Sequence, residues 1–63
     1  MSLSLKEQMI RYRAKHDLTM REMADRVGVS LQTIMMIEHG MQNPSRLTEE
    51  KIKIVLEGEE NGD

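Results

Sequence analysis

The sequence predicts an all-α domain built from four helices. Its apolar residues are Ile, Leu, Val, Ala and seven Met, with a single aromatic residue, Tyr12, and this composition favours helices. Capping signals recur along the chain, and Gly28 and Gly40 stand where periodic apolar segments end. With 63 residues and no cysteine, the chain has the size of one small domain that lacks a disulfide.

The first helix is predicted to begin after Ser4, because Ser4 and Glu7 have the spacing of a capping box. A buried cation needs a partner, and Arg13 falls on the core side of this helix. Glu38 is the acid at a comparably inward position, so we predict an Arg13–Glu38 ion pair. The alternative is that both side chains reach out to water. The core stripe of the helix contains Leu5, Met9, Tyr12, Arg13 and His16.

The segment from Thr19 to Gly40 predicts two helices of about eight residues joined by a three-residue turn. Thr19 and Glu22 form a second capping box, and Ser30 repeats the N-cap position before the next helix. Gly28 can adopt the left-handed conformation that ends the first helix of the pair. Helices shorter than about 12–15 residues are unstable alone, so both must pack on other helices. Their inward positions are Met23, Ala24, Val27, Leu31, Ile34 and Ile37.

The fourth helix is predicted to follow a loop over residues 41–46. Leu47 and Thr48 have the spacing of a hydrophobic staple and an N-cap. We expect the helix to end near Glu57 and Gly58. Its inward positions are Ile52, Val55 and Leu56, whereas Ile54 falls on the opposite side and suggests a second contact surface.

The charges are unevenly distributed, although the formal net charge is only −2. Residues 1–53 contain all nine Lys and Arg against seven acids, a net charge of +2, and the remaining residues contain four acids. The folded part is therefore mildly basic. Residues 58–63 contain no apolar residue, which predicts a disordered acidic tail after a domain of residues 1–57. The tail serves solubility alone, or it also discourages non-specific binding.

Membrane insertion, secretion and catalysis are not expected. No apolar stretch approaches the ~18 residues that span a bilayer, and residues 1–4 lack the features of a signal peptide, so we expect a cytoplasmic protein. His16 is expected to be a packing residue, and His39 lies at a helix end. Because no nucleophile–base or metal-ligand spacing is present, we expect neither an enzyme nor a metal or other cofactor.

These motifs resemble the Cro/C1-type (XRE-like) helix-turn-helix family over roughly Leu5 to Leu56. The matching motifs are Leu18-Thr19, Glu22-Met23-Ala24, Val27-Gly28-Val29-Ser30, Thr33-Ile34, Ile37-Glu38-His39-Gly40 and Asn43-Pro44-Ser45. The resemblance implies a compact four-helix, lambda-repressor-like fold. It also implies that an arginine of the first helix pairs with the glutamate that ends the third, and Arg13 and Glu38 stand at those positions.

The resemblance further implies a sequence-specific transcriptional regulator, more a repressor than an activator, whose partner is double-stranded DNA with a pseudo-palindromic operator. The third helix would lie in the major groove. Gln32 is the strongest candidate, because a glutamine can bond adenine N6 and N7 together. The base-contacting candidates are Leu31, Gln32, Thr33 and Met36. The phosphate-contacting candidates are Thr19, Met20, His39, Gln42, Asn43 and Arg46. His39 is alternatively only a residue at a helix end.

Methionine occupies four expected contact positions where members of the family usually have Gln, Ser, Arg or Lys. These are Met20, Met35, Met36 and Met41. Few phosphate contacts predict weak DNA binding with a shallow salt dependence. A homodimer would double the contacts, and Ile54 is the expected dimer contact. The alternative function is a protein-interaction module that keeps the helix-turn-helix frame and uses a Met-rich surface. A third interpretation is that these methionines are simple surface variation on an ordinary DNA-binding protein.

Overall fold

The computed structural model describes residues 3–41 and 43–61, with side chains described up to residue 58. Within these residues the chain forms four α-helices and no strand. The helices are α1 (Leu5–His16), α2 (Met20–Val27), α3 (Leu31–Glu38) and α4 (Arg46–Asn61). The predicted all-α, four-helix fold class is confirmed.

Capping boxes begin both α1 and α2, as predicted. At α1 the Ser4 hydroxyl accepts the Glu7 N–H at 3.2 Å, and the Ser4 N–H donates to Glu7 Oε1 at 3.1 Å. At α2 the Thr19 hydroxyl accepts the Glu22 N–H at 3.0 Å, and the Thr19 N–H donates to Glu22 Oε1 at 2.8 Å. These bonds satisfy N–H groups that a helix start leaves without partners, so local sequence determines where both helices begin.

The first two helices end in left-handed residues. Gly28, with φ of 87°, ends α2, and its N–H donates to the Ala24 carbonyl at 2.8 Å. Asp17, with φ of 56°, ends α1 without the steric freedom of a glycine. Short polar side chains tolerate this conformation better than other non-glycine residues do. The end of α2 was predicted from Gly28, whereas Asp17 gave no comparable signal.

One residue from each helix forms the centre of the core. Met9, Met23, Ile34 and Ile52 are completely buried. α3 packs against α1 and α2, and α4 packs against the same two helices. Buried around the centre are Tyr12, Ala24, Val27 and Ile37, with Leu5, Leu18, Met20, Val29, Val55 and Leu56 partly buried against them. Leu31, which we expected in the core, is only half-buried.

The fourth helix begins earlier than predicted. The Ser45 hydroxyl accepts the Thr48 N–H at 3.2 Å, so Ser45 rather than Thr48 caps the helix. Leu47 is 66% exposed and forms no hydrophobic staple with the core. Arg46, expected in the loop, is the first residue of α4. Serine caps a helix at least as well as threonine does, which agrees with a start at Ser45 in place of the predicted Thr48.

The fourth helix also ends later than predicted. It continues past Glu57 and Gly58 to Asn61, and the expected end near Glu57 is wrong. Glutamate propagates a helix well, and a single glycine lowers helix stability without ending it. The first four residues of the expected tail, 58–61, are therefore helical, while residues 62 and 63 lie outside the described residues. None of the described helices is long and apolar enough to cross a membrane.

Candidate nucleic-acid interface

α3 has one side in the core and another exposed to solvent. Ile34, Ile37 and Glu38 are buried, whereas Gln32 and Met35 are exposed. The three other base-contacting candidates, Leu31, Thr33 and Met36, are half-buried at the borders between the two sides. Gln32 is therefore the candidate that projects most freely from the molecule.

The first turn of α3 separates the roles of Gln32 and Thr33. The Ser30 hydroxyl accepts the Thr33 N–H at 3.2 Å and also lies 2.9 Å from Thr33 Oγ1. The Thr33 hydroxyl is thus part of the helix cap. The Gln32 amide makes no hydrogen bond to any residue that the structure describes, so its donor and its acceptor are both available to a partner.

A bidentate ion pair anchors the other end of α3. Arg13 donates from Nε to Glu38 Oε2 and from Nη2 to Glu38 Oε1, both at 2.9 Å, and from Nη1 to the Leu18 carbonyl at 3.0 Å. This is the ion pair that the sequence predicts. The Glu38 side chain is 3% exposed and the Arg13 side chain 23%, and the hydrogen bond to Glu38 raises the pKa of Arg13. The pair joins α1 to the end of α3 and to the residue before Thr19.

A Schellman motif ends α3 and directs the chain that follows. Gly40 has φ of 70°. Its N–H donates to the Ile37 carbonyl at 3.1 Å, and the Met41 N–H donates to the Met36 carbonyl at 2.9 Å. These bonds satisfy carbonyls at the helix end. His39 is the exposed C-cap residue, which places it beside the start of the α3–α4 loop, residues 41–45.

The phosphate-contacting candidates occupy different environments. Thr19 and Asn43 are exposed, as is Arg46 at the start of α4. The Met20 side chain packs against the core, so only its backbone N–H, which has no acceptor within the helix, is open to a phosphate. Gln42 lies outside the described residues.

Sequence reasoning missed Lys6, which the fold brings to the end of α3. Its Nζ lies 3.5 Å from the position that a Cβ on Gly40 would take. Lys6 also lines a cavity of about 250 Å³ together with Asn43 and Pro44. Lys6 and this loop are far apart in the sequence, so only the packing of α1 on α3 reveals that they are neighbours.

The four methionines at expected contact positions do not form one exposed surface. Met41 is 72% exposed and Met35 43%. Met36 is half-buried, and Met20 packs against the core. The Met-rich surface expected from these four positions is therefore not formed at Met20 and Met36, because both side chains turn at least partly toward the core.

Ile54 stands apart from the α3 surface, on α4. It is 67% exposed, as its position opposite Ile52 predicted. Leu47, seven residues earlier and on the same side of the helix, is 66% exposed. Together they place two exposed apolar side chains on the outer side of α4.

The two histidines lie in different environments, with His39 exposed at the end of α3. His16 is half-buried, and its ring centroid lies 4.4 Å from that of Tyr12, which agrees with a packing role. The Tyr12 hydroxyl accepts a hydrogen bond from Arg26 Nη1 at 3.0 Å. Among the side chains that the structure describes, those of residues 3–41 and 43–58, no group of three or more His, Asp or Glu is arranged to hold a metal ion.

Comparison with known proteins agrees with this architecture. Residues 9–54 match the helix-turn-helix family, and the chain belongs to this family in its Cro/C1-type, XRE-like form. A protein of Methanocaldococcus jannaschii named an uncharacterized HTH-type transcriptional regulator is 46% identical over 41 residues, 65% of this chain. An Archaeoglobus fulgidus protein of the same description is 50% identical over 34 residues, 54% of this chain.

The matched regions cover 62% and 48% of these two relatives, so the chain spans less than two thirds of the length of either. No solved structure matches the chain.

Proposed function

We propose that this chain is a DNA-binding transcriptional regulator whose α3 lies in the major groove. The observation that supports this most directly is the exposed Gln32 amide on a helix that is fixed at both ends. The Ser30 cap holds one end, and the Arg13–Glu38 pair holds the other. A helix anchored in this way presents its side chains in one orientation, which reading base edges requires. The names of the two relatives, both HTH-type transcriptional regulators, support the same class.

The proposed base contacts centre on Gln32. Its amide would donate to N7 and accept from the N6 amino group of one adenine. Leu31 and Met36, half-buried beside it, would contribute apolar contacts such as those to a thymine methyl group. Thr33 is the weaker candidate because its hydroxyl already bonds Ser30. The proposed operator is therefore rich in A·T pairs where α3 contacts it.

The proposed phosphate contacts flank α3 on two sides. On one side they come from Thr19 and the Met20 N–H at the start of α2. On the other they come from His39, Asn43 and Arg46. Few of these groups are cations, so the proposed binding is weak for one copy of the chain, with a shallow dependence on salt. Gln42 remains a sequence-based candidate.

A second copy of the chain would double these contacts. We propose that two copies pair through the outer side of α4 at Ile54 and bind a pseudo-palindromic operator, with half-sites roughly 10–10.5 bp apart. Repression is the proposed outcome, since occupying a promoter requires no contact beyond this interface. Sedimentation equilibrium tests the pairing: Ile54→Lys should leave a monomer, and an unchanged mass would show that Ile54 is not the contact.

The alternative role as a Met-rich protein-interaction module has less support. This role needs a continuous exposed apolar surface. Met20 and Met36 are half-buried, so they cannot contribute fully to such a surface. The exposed pair Met35 and Met41 is not enough to favour a protein partner over DNA.

Selection of bound duplexes from a random pool, followed by titration of the selected duplex and its single-base variants, tests the proposed function. Gln32→Ala should lose ~1–3 kcal/mol of binding free energy and its discrimination at one base pair. Gln8→Ala is the matched control, because Gln8 is an exposed glutamine of α1 whose amide donates to the Leu3 carbonyl. Equal loss at every base pair, or equal effects of both variants, would contradict the role of Gln32.

A further inference from the structure

We propose that Lys6, in the first turn of α1, binds a DNA phosphate beside the α3–α4 loop. This inference rests on the proposed function and extends its interface to a helix that supplied no contact in the sequence-based prediction. Lys6 would contribute charge where the loop itself contributes none.

Lys6 lies beside the end of α3 and the loop that follows it. Its Nζ lies 3.5 Å from where a Cβ on Gly40 would stand, at the left-handed residue that ends α3. Lys6 shares a cavity of about 250 Å³ with Asn43 and Pro44. Lys6 and the exposed Asn43 therefore border the same cavity beside the end of α3.

The second observation is that few charges surround Lys6. Residues 41–45 contain no charged residue. No carboxylate forms an ion pair with Lys6 in the part of the chain that the structure describes. The adjacent carboxylate, that of Glu7, is engaged by the Ser4 N–H and hydroxyl. The Lys6 charge also helps to lower the pKa of Glu7, but no ion pair engages its ammonium, which can therefore bind an external anion.

The chemistry of the pair Lys6 and Asn43 suits a phosphate. A lysine ammonium binds phosphate as a point charge, and an amide adds a directed N–H donor. Backbone phosphates are contacted by this combination of cations and neutral donors in DNA complexes. A phosphate between the two side chains would fix the register of α3 without reading a base.

A purely structural role makes a different prediction. An ammonium near the C-terminus of a helix interacts favourably with its free carbonyls. In that case Lys6 would stabilise α3, and its loss would lower the free energy of unfolding without changing how DNA binding depends on salt.

The test measures binding of a labelled random-sequence duplex of about 20 bp between roughly 50 and 200 mM KCl. Lys6→Gln should reduce the slope of log K against log salt by about 0.9 and weaken binding about eightfold near 0.1 M, as the loss of one phosphate contact requires. Lys6→Arg should restore the slope. Lys15→Gln is the matched control, since Lys15 is an exposed lysine nine residues along α1 and on its opposite side.

Each outcome distinguishes the inference from the proposed function. If the unchanged protein binds with a salt-dependent affinity and Lys6→Gln has the same slope, the inference is overturned and the proposed function stands. A lower unfolding free energy with an unchanged slope assigns Lys6 to the end of α3 alone. If the unchanged protein shows no salt-dependent binding, both proposals fail.

Discussion

The two connections on either side of α3 differ in how their conformation is determined. The turn between α2 and α3, residues 28–30, has a left-handed glycine at its start and a capping serine at its end. The α3–α4 loop begins equally clearly after Gly40, but its end lies at Ser45 rather than at the expected Thr48. The sequence therefore predicted the connection ends at Gly28, Ser30 and Gly40, whereas it placed the start of α4 three residues too late.

The two connections also differ in what they leave available to a partner. In the α2–α3 turn the Ser30 hydroxyl is occupied by capping Thr33. Beside the α3–α4 loop, by contrast, His39 and Asn43 are exposed and Lys6 lies next to Gly40. The turn orients α3, whereas exposed polar groups of α1, of the end of α3 and of the loop lie together beside the α3–α4 connection.

The largest expected effect on stability comes from the ion pair between Arg13 and Glu38, which anchors the end of α3 where the α3–α4 loop begins. Arg13→Ala leaves the buried Glu38 carboxylate without its partner, which should lower the free energy of unfolding by about 3–5 kcal/mol. Urea denaturation measures the loss. Arg11→Ala, at an exposed position of the same helix, should change stability by less than about 0.5 kcal/mol. Similar values for both variants would mean that Glu38 is effectively solvated.

Alanine substitutions at two glycines, one in a turn and one in a helix, are expected to change stability in opposite directions. Neither Gly28 nor Gly58 has a heavy atom within 4 Å of an added Cβ, so backbone conformation alone should decide the outcome. Gly28→Ala should destabilise the fold by about 1–2 kcal/mol, because Gly28 is left-handed. Gly58→Ala, within α4, should stabilise it by about 0.5–1 kcal/mol. Thermal unfolding checks both signs, and the same sign for both would refute this explanation.

Removing the residue that caps the start of α4 is expected to cause a stability loss of intermediate size. Ser45→Ala removes the hydroxyl that accepts the Thr48 N–H and should cost about 1 kcal/mol. Thr48→Ala should cost clearly less, because the Thr48 hydroxyl only accepts a hydrogen bond from Ser45 Oγ at 3.1 Å. Urea denaturation of the two variants ranks them. A larger loss from Thr48→Ala would place the cap where the sequence first indicated.

The smallest expected effect concerns pH and the capping box of α1. Hydrogen bonds from the Ser4 N–H and hydroxyl hold the pKa of Glu7 below its ordinary value of 4.5. The unfolded chain therefore binds this proton more readily, so the contribution of Glu7 is present above about pH 4.5 and is lost as the pH falls through the folded pKa. A carboxyl NMR titration should give a Glu7 midpoint below 4.5.

The matched variant for this prediction is Glu7→Gln, which keeps an acceptor but removes the titration. Its stability should decline less than that of the unchanged protein between about pH 6 and about pH 3. Equal declines would show that the capping carboxylate contributes nothing to the pH dependence.

Local signals account for most of what the sequence predicted about the fold. The capping boxes, Gly28 and Gly40 involve residues within a few positions of each other, so their spacing is visible in the chain. The Arg13–Glu38 pair was predictable despite its sequence separation because a cation on a core face needs a buried acid.

The features that the sequence left undetermined depend on neighbours distant in the chain. The partial burial of Met20 and Met36 follows from how closely α2 and α3 meet the core. The position of Lys6 beside Gly40 follows from how α1 packs on α3. For the candidate interface, the exposure of Gln32 was predictable from periodicity, while the contribution of α1 was not.

Titration of the isotopically labelled protein with its selected DNA duplex, followed by backbone amide NMR, tests most directly whether the exposed side of α3 contacts DNA. We expect the largest shifts at Gln32, at Thr19 and at Asn43, with Lys15 unaffected. Shifts confined to the outer side of α4, or an absence of shifts at Gln32 under saturating duplex, would contradict the proposed interface.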